Sequence, residues 1–176
     1  GGGKLPWGAL ALQGEGTRGS QLVHLIVENG SGGIVDGIFY TAMFSIHSSR
    51  DIAVNNLTLR KNHDFDDMMH IVYGQNIKLN DLRLNGARAD ALDIDISSVS
   101  INGIHVENAG NDCIDFMTSS ATIQRASLIG CEDKGISVGE ATTAAILDAV
   151  VRDSGIGMEV KDLSIVQLLR ADFLSN

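Results

Sequence analysis

The chain has 176 residues, and its 22 acidic against 13 basic side chains give a formal charge of −9. Hydrophobic residues make up 44% of it, which is enough for a folded core and excludes an intrinsically disordered chain. The acidic balance argues against nucleic acid as a partner, because phosphate binding needs clustered Lys and Arg. No apolar run approaches the roughly 18 residues of a membrane helix, so we expect no membrane partner either.

The first residues of the chain and its two cysteines add to what the composition indicates. The chain opens with Gly1 to Lys4 and without Met, so we expect residues 1–176 to be a single domain cut from a longer protein. Cys113 and Cys131 lack Cys-x-x-Cys spacing, which disfavours a zinc site or a disulfide framework. We predict two small buried thiols.

Short triplets with one polar residue between two apolar ones recur along the chain, and their last residues are 25, 23, 22, 22 and 22 positions apart. The alternation is typical of a half-buried strand. Leu10-Ala11-Leu12 is an earlier copy across a longer insertion. The six triplets are Phe44-Ser45-Ile46, Met69-His70-Ile71, Leu92-Asp93-Ile94, Ile114-Asp115-Phe116, Ile136-Ser137-Val138 and Met158-Glu159-Val160.

A second alternating segment follows the triplets, as in 52–59 and 77–84, and Gly, Asn, Asp and Ser separate the segments. A unit of about 22 residues that holds about three short strands, without a 3.6-residue period, predicts a β-solenoid. Its coils stack through parallel strand pairing. The first and last residues of the triplets should then form two buried ladders.

The chain resembles the right-handed parallel β-helix superfamily, the pectate-lyase-like fold. The resemblance is based on this repeat and on the segments Asn55 to Leu59 and Asp133 to Gly139. The resemblance covers about residues 7–165. It implies an all-β, right-handed, single-stranded parallel β-helix of about seven coils in a secreted or cell-surface protein. The exposed strand edges at the ends of an open solenoid are candidate surfaces for self-association.

The middle residues of the triplets should point away from the core and stack in one column, with a second column three positions earlier. Together these columns concentrate carboxylates on one side of the solenoid. We call this surface the acidic face, and it consists of Asp67, His70, Asp90, Asp93, Asp112, Asp115 and Lys134.

Carboxylates stacked about 4.8 Å apart repel one another, so the acidic face requires compensation. One hypothesis is a hard cation such as calcium, bound by Asp67, Asp90, Asp93, Asp112 and Asp115. Another is protonation of one carboxylate, which would suit general acid catalysis. The third is solvation, with the carboxylates capping turn N–H groups and pairing with Lys134, Arg88 and His70.

The face also resembles the active site of polygalacturonases, which are inverting glycosidases of this fold. The similar motifs are 88–93, Gly110-Asn111-Asp112-Cys113-Ile114 and 133–139 on successive coils. The resemblance places Asp90 and Asp112 at catalytic positions and Lys134 at the histidine position. Asn111 stands where the family has its acid, so Asp112 or Asp115 would be the acid and Asp90 or Asp93 the base.

A polysaccharide lyase is the other enzymatic hypothesis, in which a cation neutralises a uronate carboxylate and Arg88, Lys134 or Lys161 acts as the base. We assign His70, Arg88 and Lys161 to substrate binding, and His47 with His70 to a possible metal site. The predicted function is a carbohydrate-interacting β-helix, either a polysaccharide lyase or a glycoside hydrolase. The alternative is a non-catalytic structural or adhesion module with a carbohydrate or calcium site.

Overall fold

The computed structural model describes residues 6–176, so the glycine-rich opening Gly1 to Lys4 lies outside the described residues. The described chain is all-β, and its one helix is a single 3₁₀ turn at Glu15–Thr17. Among residues 6–176, no helix has the length and apolar character needed to span a membrane.

The first ten strands are β1 Leu10–Gln13, β2 Gln21–Glu28, β3 Gly33–Val35, β4 Ile38–Tyr40, β5 Phe44–His47, β6 Ala53–Arg60, β7 Met69–Val72, β8 Ile77–Ala87, β9 Leu92–Asp95 and β10 Ser98–Ala109. The remaining strands are β11 Ile114–Met117, β12 Ser120–Ile123, β13 Ala126–Cys131, β14 Lys134–Gly139, β15 Thr143–Ile146, β16 Ala149–Arg152, β17 Ile156–Val160, β18 Ile165–Leu168 and β19 Ala171–Leu174.

These strands form a parallel β-solenoid of about six turns of roughly 22 residues. Seven strands stack in the order β1-β5-β7-β9-β11-β14-β17, and we call this the site sheet. A ten-stranded sheet closes the solenoid on its other sides. The architecture confirms the predicted fold class and is consistent with the right-handed β-helix that the resemblance implied.

The two predicted ladders are confirmed by the pairing of the site sheet. Phe44 pairs with Met69 and Ile46 with Ile71, and the same register continues through every triplet to Met158 and Val160. The Leu10-Ala11-Leu12 copy also pairs as predicted, with Phe44 to Ile46. Both ladders are fully buried from β5 to β14. Burial of like apolar residues above one another is therefore the main stabilising contribution of each coil.

Side chains also satisfy backbone N–H groups at the corners, where the chain leaves a strand. The N–H of Ser97 donates to Ser119 Oγ at 3.0 Å, and that of Ser119 donates to Thr142 Oγ1 at 3.0 Å. The N–H of Thr142 continues the row to Ser164 Oγ at 3.1 Å. Because buried N–H groups need partners, this hydroxyl ladder fixes the corner from coil to coil.

The prediction of two free thiols is wrong, because Cys113 and Cys131 form a disulfide with their Cα atoms 5.5 Å apart. Ala109 lies four residues before Cys113 across one corner, and Cys131 pairs directly above Ala109 in the next coil. The disulfide therefore links one coil to the next. Its 18-residue separation is the 22-residue repeat shortened by the four-residue corner, a relation that the sequence contains.

Replacement of both cysteines by alanine should lower the free energy of unfolding by about 3 kcal/mol, since the disulfide restricts the unfolded chain across a loop of about this length. Denaturant unfolding of the wild type and the double variant measures the difference. A reductant should bring the wild type to the stability of the variant and leave the variant unchanged. A wild type insensitive to reductant, with two thiols detected by mass spectrometry, would contradict the disulfide.

Candidate acidic site

The predicted outward column of the site sheet is present. Ser45 pairs with His70, His70 with Asp93, Asp93 with Asp115, and Ser137 continues the column to Glu159. The side chains are less exposed than expected for an open sheet face. His70 is only 9% exposed, Asp67 6% and Asp112 3%. Part of the acidic face is thus an enclosed polar site.

An insertion before β5 encloses the first coils of the face. Its hairpin, β3 with β4, ends at Tyr40, and Thr41 follows directly. Phe39 of the hairpin packs on Phe65 with ring centroids 5.5 Å apart. The insertion thereby reaches the 61–67 loop of the next coil and holds Thr41 against Asp67.

Asn62 fixes the loop that carries Asp67. Its amide nitrogen donates to the carbonyl oxygens of Phe65, Asp66 and Asp67 at 3.1, 3.1 and 3.0 Å. Its side-chain oxygen accepts the N–H of Arg88 from the following coil at 2.7 Å. Through these internal hydrogen bonds Asn62 positions a residue of the acidic face.

Asp67, His70 and Asp93 converge in one cluster, which we call the histidine–aspartate cluster. One potential ligand atom of each lies within 4.8 Å of the others. His70 Nε2 is 3.6 Å from Asp93 Oδ2 and 3.3 Å from Asp95 Oδ2. On the other side of the ring, Thr41 Oγ1 lies 3.1 Å from His70 Nδ1 and donates to Asp67 Oδ2 at 2.9 Å.

His47 extends the cluster by one coil. Its ring centroid lies 5.0 Å from that of His70 in an edge-on arrangement and 5.0 Å from that of Tyr40. The side chain is 6% exposed, and its Nε2 atom has no hydrogen-bond partner. Burial, with the neighbouring charge of His70, lowers the pKa of His47 to about 4, so its imidazole is neutral at neutral pH.

The next part of the face, formed by Asp90, Asp112 and Lys134, is a ladder of side chains and backbone N–H groups. Asp90 Oδ1 accepts the N–H of Asp112 at 2.7 Å and the amide of Asn111 at 2.8 Å. Asp112 Oδ1 accepts the N–H of Lys134 at 2.8 Å and lies 3.6 Å from Lys134 Nζ, which also pairs with Asp133. These bonds are the turn-capping compensation that was one of the three hypotheses.

The glycine of the polygalacturonase-like motif has a packing reason. A Cβ atom on Gly110 would lie 2.2 Å from the carbonyl oxygen of Arg88, so this close approach of two coils requires glycine. The motif is therefore explained in part by the fold itself.

The two predicted substrate-binding cations, Arg88 and Lys161, are not part of the cluster. Arg88 donates from its guanidinium to the carbonyl oxygen of Asp64 at 2.6 Å. Lys161 lies 3.0 Å from Glu159 in the last coil. Of the five aspartates predicted as cation ligands, Asp67 and Asp93 belong to the cluster, whereas Asp90, Asp112 and Asp115 do not, among the residues described.

Burial raises the pKa values of the enclosed carboxyl groups. It raises the pKa of Asp93 to about 9, with further contributions from the negative charges of Asp95 and Asp67. It raises that of Asp67 to about 7 against the opposing hydrogen bond from Thr41. Without a cation, Asp93 is therefore protonated at neutral pH, and Asp67 is protonated only in part.

Asp112 and Asp90 are shifted in the same direction for the same first reason. Burial raises the pKa of Asp112 to about 6, while the N–H of Lys134 opposes the shift. Burial also raises the pKa of Asp90, against the N–H of Asp112 and the amide of Asn111. Burial disfavours the charged form of Lys134, but the hydrogen bond to Asp133 and the charge of Asp112 outweigh it and raise its pKa.

A concave region that the sequence did not indicate lies on the ten-stranded sheet. It is a groove of about 680 Å³ that none of the acidic-face residues lines. Ion pairs cross it between Arg125 and Asp81 at 3.8 Å and between Arg170 and Asp148 at 2.5 Å. Because these charged side chains of the groove are paired with one another, the acidic face is the better candidate for a functional site.

No protein-family model, curated protein or solved structure matches this chain. The structure by itself shows a parallel β-solenoid, which is consistent with a right-handed parallel β-helix.

We predict that Asp93→Asn stabilises the metal-free protein at alkaline pH. A carboxyl group whose pKa is raised on folding contributes stability that is complete below its unfolded pKa near 4 and is lost as the pH rises towards the folded value of about 9. Asparagine stays neutral, so the variant should gain ~1–2 kcal/mol over the wild type at pH 8. The two proteins should be equally stable near pH 4.

Thermal melts of both proteins in EDTA-containing buffer from pH 4 to pH 9 measure this effect. Asp172→Asn, at an exposed position on the ten-stranded sheet, is the matched control. Equal melting temperatures of wild type and Asp93→Asn at pH 8 would show that the cluster carries no unrelieved charge.

Proposed function

We propose that this chain is a carbohydrate-interacting β-helix whose acidic face hydrolyses a polysaccharide. The observation that supports it is a pair of half-buried carboxyl side chains on adjoining coils, Asp90 before β9 and Asp115 in β11. Asp115 is close enough to act electrostatically on Asp90, and Lys134 adds a cation beside them. Two neighbouring carboxyl groups are the usual equipment for cleavage of a glycosidic bond.

The surroundings suggest which carboxyl group takes which role. One oxygen of Asp90 accepts two N–H donors, from Asp112 and Asn111, which favour its carboxylate form against the effect of burial and suit a base or nucleophile. Asp115 is left as the acid. Asn111, which occupies the acid position of the polygalacturonase-like motif, would then orient Asp90.

Hydrolysis fits these residues better than β-elimination. A lyase needs an uncharged basic group to abstract a proton next to the uronate carboxylate. The pKa of Lys134 is raised, although burial opposes the shift, and that of Lys161 is raised by its hydrogen bond to Glu159. Arg88 is held by the carbonyl of Asp64. These three side chains are cations that could bind a substrate carboxylate or hydroxyl group rather than remove a proton.

The disulfide supports a place outside the cytosol for this function. Disulfides persist mainly in oxidising compartments, which include the extracellular space and the cell surface. The link between Cys113 and Cys131 is buried in the solenoid, and Cys113 directly follows Asp112 of the acidic face. A secreted or surface location is where a polysaccharide substrate would be met.

A second candidate is the non-catalytic surface module, and one specific observation favours it. The carboxylates of Asp90 and Asp112 each accept a backbone N–H from the next coil, at 2.7 and 2.8 Å. Such bonds stabilise stacking and need no substrate. On this hypothesis the face binds a glycan without cleaving it, or the solenoid acts only as a rigid spacer.

We predict that Asp115→Asn lowers hydrolysis by about 100-fold or more, because a positioned acid typically contributes 10²–10⁴-fold. Asp90→Asn should have an effect of similar size. A panel of neutral and uronate polysaccharides would be screened for new reducing ends with the wild type first, and the variants would then be compared on the best substrate. Absorbance of unsaturated products would distinguish elimination from hydrolysis.

Asp172→Asn serves as the control, and circular dichroism with a thermal melt establishes that each variant is folded. Equal turnover by the wild type, Asp90→Asn and Asp115→Asn would overturn the proposed roles. Glycan binding that is lost in Asp90→Asn and Asp115→Asn, without any cleavage by the wild type, would support the non-catalytic module instead.

A further inference from the structure

We propose that the histidine–aspartate cluster, Asp67, His70 and Asp93, binds a divalent transition-metal ion of the zinc type. The three ligand atoms lie within 4.8 Å of one another, a spread that small side-chain rotations can close around one ion. All three side chains are buried or nearly so, which would keep bulk water from competing for the ion. The Asp90–Asp115 pair proposed for hydrolysis lies outside this cluster.

The contacts of His70 indicate which of its ring nitrogens can bind a metal ion. The single proton of the Thr41 hydroxyl is donated to Asp67 Oδ2 at 2.9 Å, so at 3.1 Å from His70 Nδ1 the same oxygen acts as an acceptor. The Nδ1 atom then carries the ring proton. In the neutral ring, Nε2 consequently presents a lone pair, and neutral imidazole is the form that ligates metals.

That lone pair faces carboxyl oxygens. Nε2 lies 3.3 Å from Asp95 Oδ2 and 3.6 Å from Asp93 Oδ2. The contact with Asp95 is a long hydrogen bond, and the separation from Asp93 exceeds hydrogen-bond length, so His70 Nε2 is only weakly bonded in the metal-free protein. A cation between the nitrogen and the carboxyl oxygens would replace these long contacts with coordination bonds.

His47 gives a second, independent indication of a ligand. It is 94% buried, and its Nε2 atom has no hydrogen-bond partner among the described residues, although its ring packs edge-on against His70 at 5.0 Å. A buried imidazole nitrogen without a partner is unfavourable unless something completes it. An ion in the cluster, directly or through its bound water, would provide that partner.

The ligand types distinguish this ion from the calcium expected from the sequence. Calcium takes six to eight oxygen ligands, and imidazole is not among them. Imidazole together with carboxylates suits zinc and its neighbours, and zinc sites with three protein ligands keep a position open for water or substrate. The burial of His70 among the aspartates therefore changes the predicted metal.

Zinc titration of the metal-free protein tests the proposal. Protein without an affinity tag, treated with EDTA and desalted, should bind one zinc ion with high affinity in isothermal calorimetry, and calcium should not substitute for it. Asp93→Asn and His70→Gln should each weaken this zinc binding at least tenfold. Cobalt used in place of zinc should give a visible absorption spectrum that His70→Gln removes.

His105→Gln and Asp172→Asn are the matched controls, since they remove the same side-chain types on the ten-stranded sheet and should bind zinc as the wild type does. Circular dichroism of each variant establishes folding, and Asp93→Asn preserves side-chain shape if His70→Gln fails to fold. Absence of tight zinc binding, equal binding by Asp93→Asn and wild type, or calcium binding as tight as zinc binding would each overturn the proposal. Metal binding and hydrolysis are measured separately, so either can fail without the other.

Discussion

In-register parallel stacking of the coils is the constraint on which the rest of this structure depends. Each strand of the site sheet pairs with the strand one repeat earlier, so residues about 22 positions apart lie directly above one another. Inside the solenoid this stacking is favourable, because apolar side chains such as Ile94 and Phe116 bury one another. On the outer surface of the solenoid, the same register places Asp93 beside Asp115, although two ionised carboxylates repel each other.

The charge that stacking concentrates is compensated in two different ways along the acidic face. Asp90 and Asp112 are compensated by the backbone, since each accepts an N–H group from the following coil. Among the described residues, neither Asp67 nor Asp93 accepts such a bond from the next coil, and burial raises their pKa values to about 7 and about 9. The bonds of Asp90 and Asp112 therefore stabilise the stacking, although burial still raises the pKa values of both groups. Asp67 and Asp93 require a proton or a metal ion.

The repeat made the ladders and columns predictable, because a fixed period determines every vertical neighbour without any knowledge of side-chain contacts. Metal-site and disulfide-framework spacings do not predict the disulfide, because its 18-residue separation follows from the repeat and one corner. Cys131 lies one repeat above Ala109, which faces Cys113 across a corner. Thr41 and Tyr40 could not be found in this way, since the hairpin that carries them has no counterpart in the other coils.

That hairpin also explains where the distinctive chemistry of the molecule lies. A repeat alone generates columns of stacked residues, and equivalent residues of successive coils then have similar surroundings. The insertion breaks this equivalence by placing Thr41 between Asp67 and His70 and by covering His47 with Tyr40. Aspartates at similar positions in later coils, such as Asp112, instead form regular backbone contacts. The site with unusual protonation and candidate ligands thus arises where a non-repetitive segment closes over a repetitive sheet, and the regular coils on either side hold it in place.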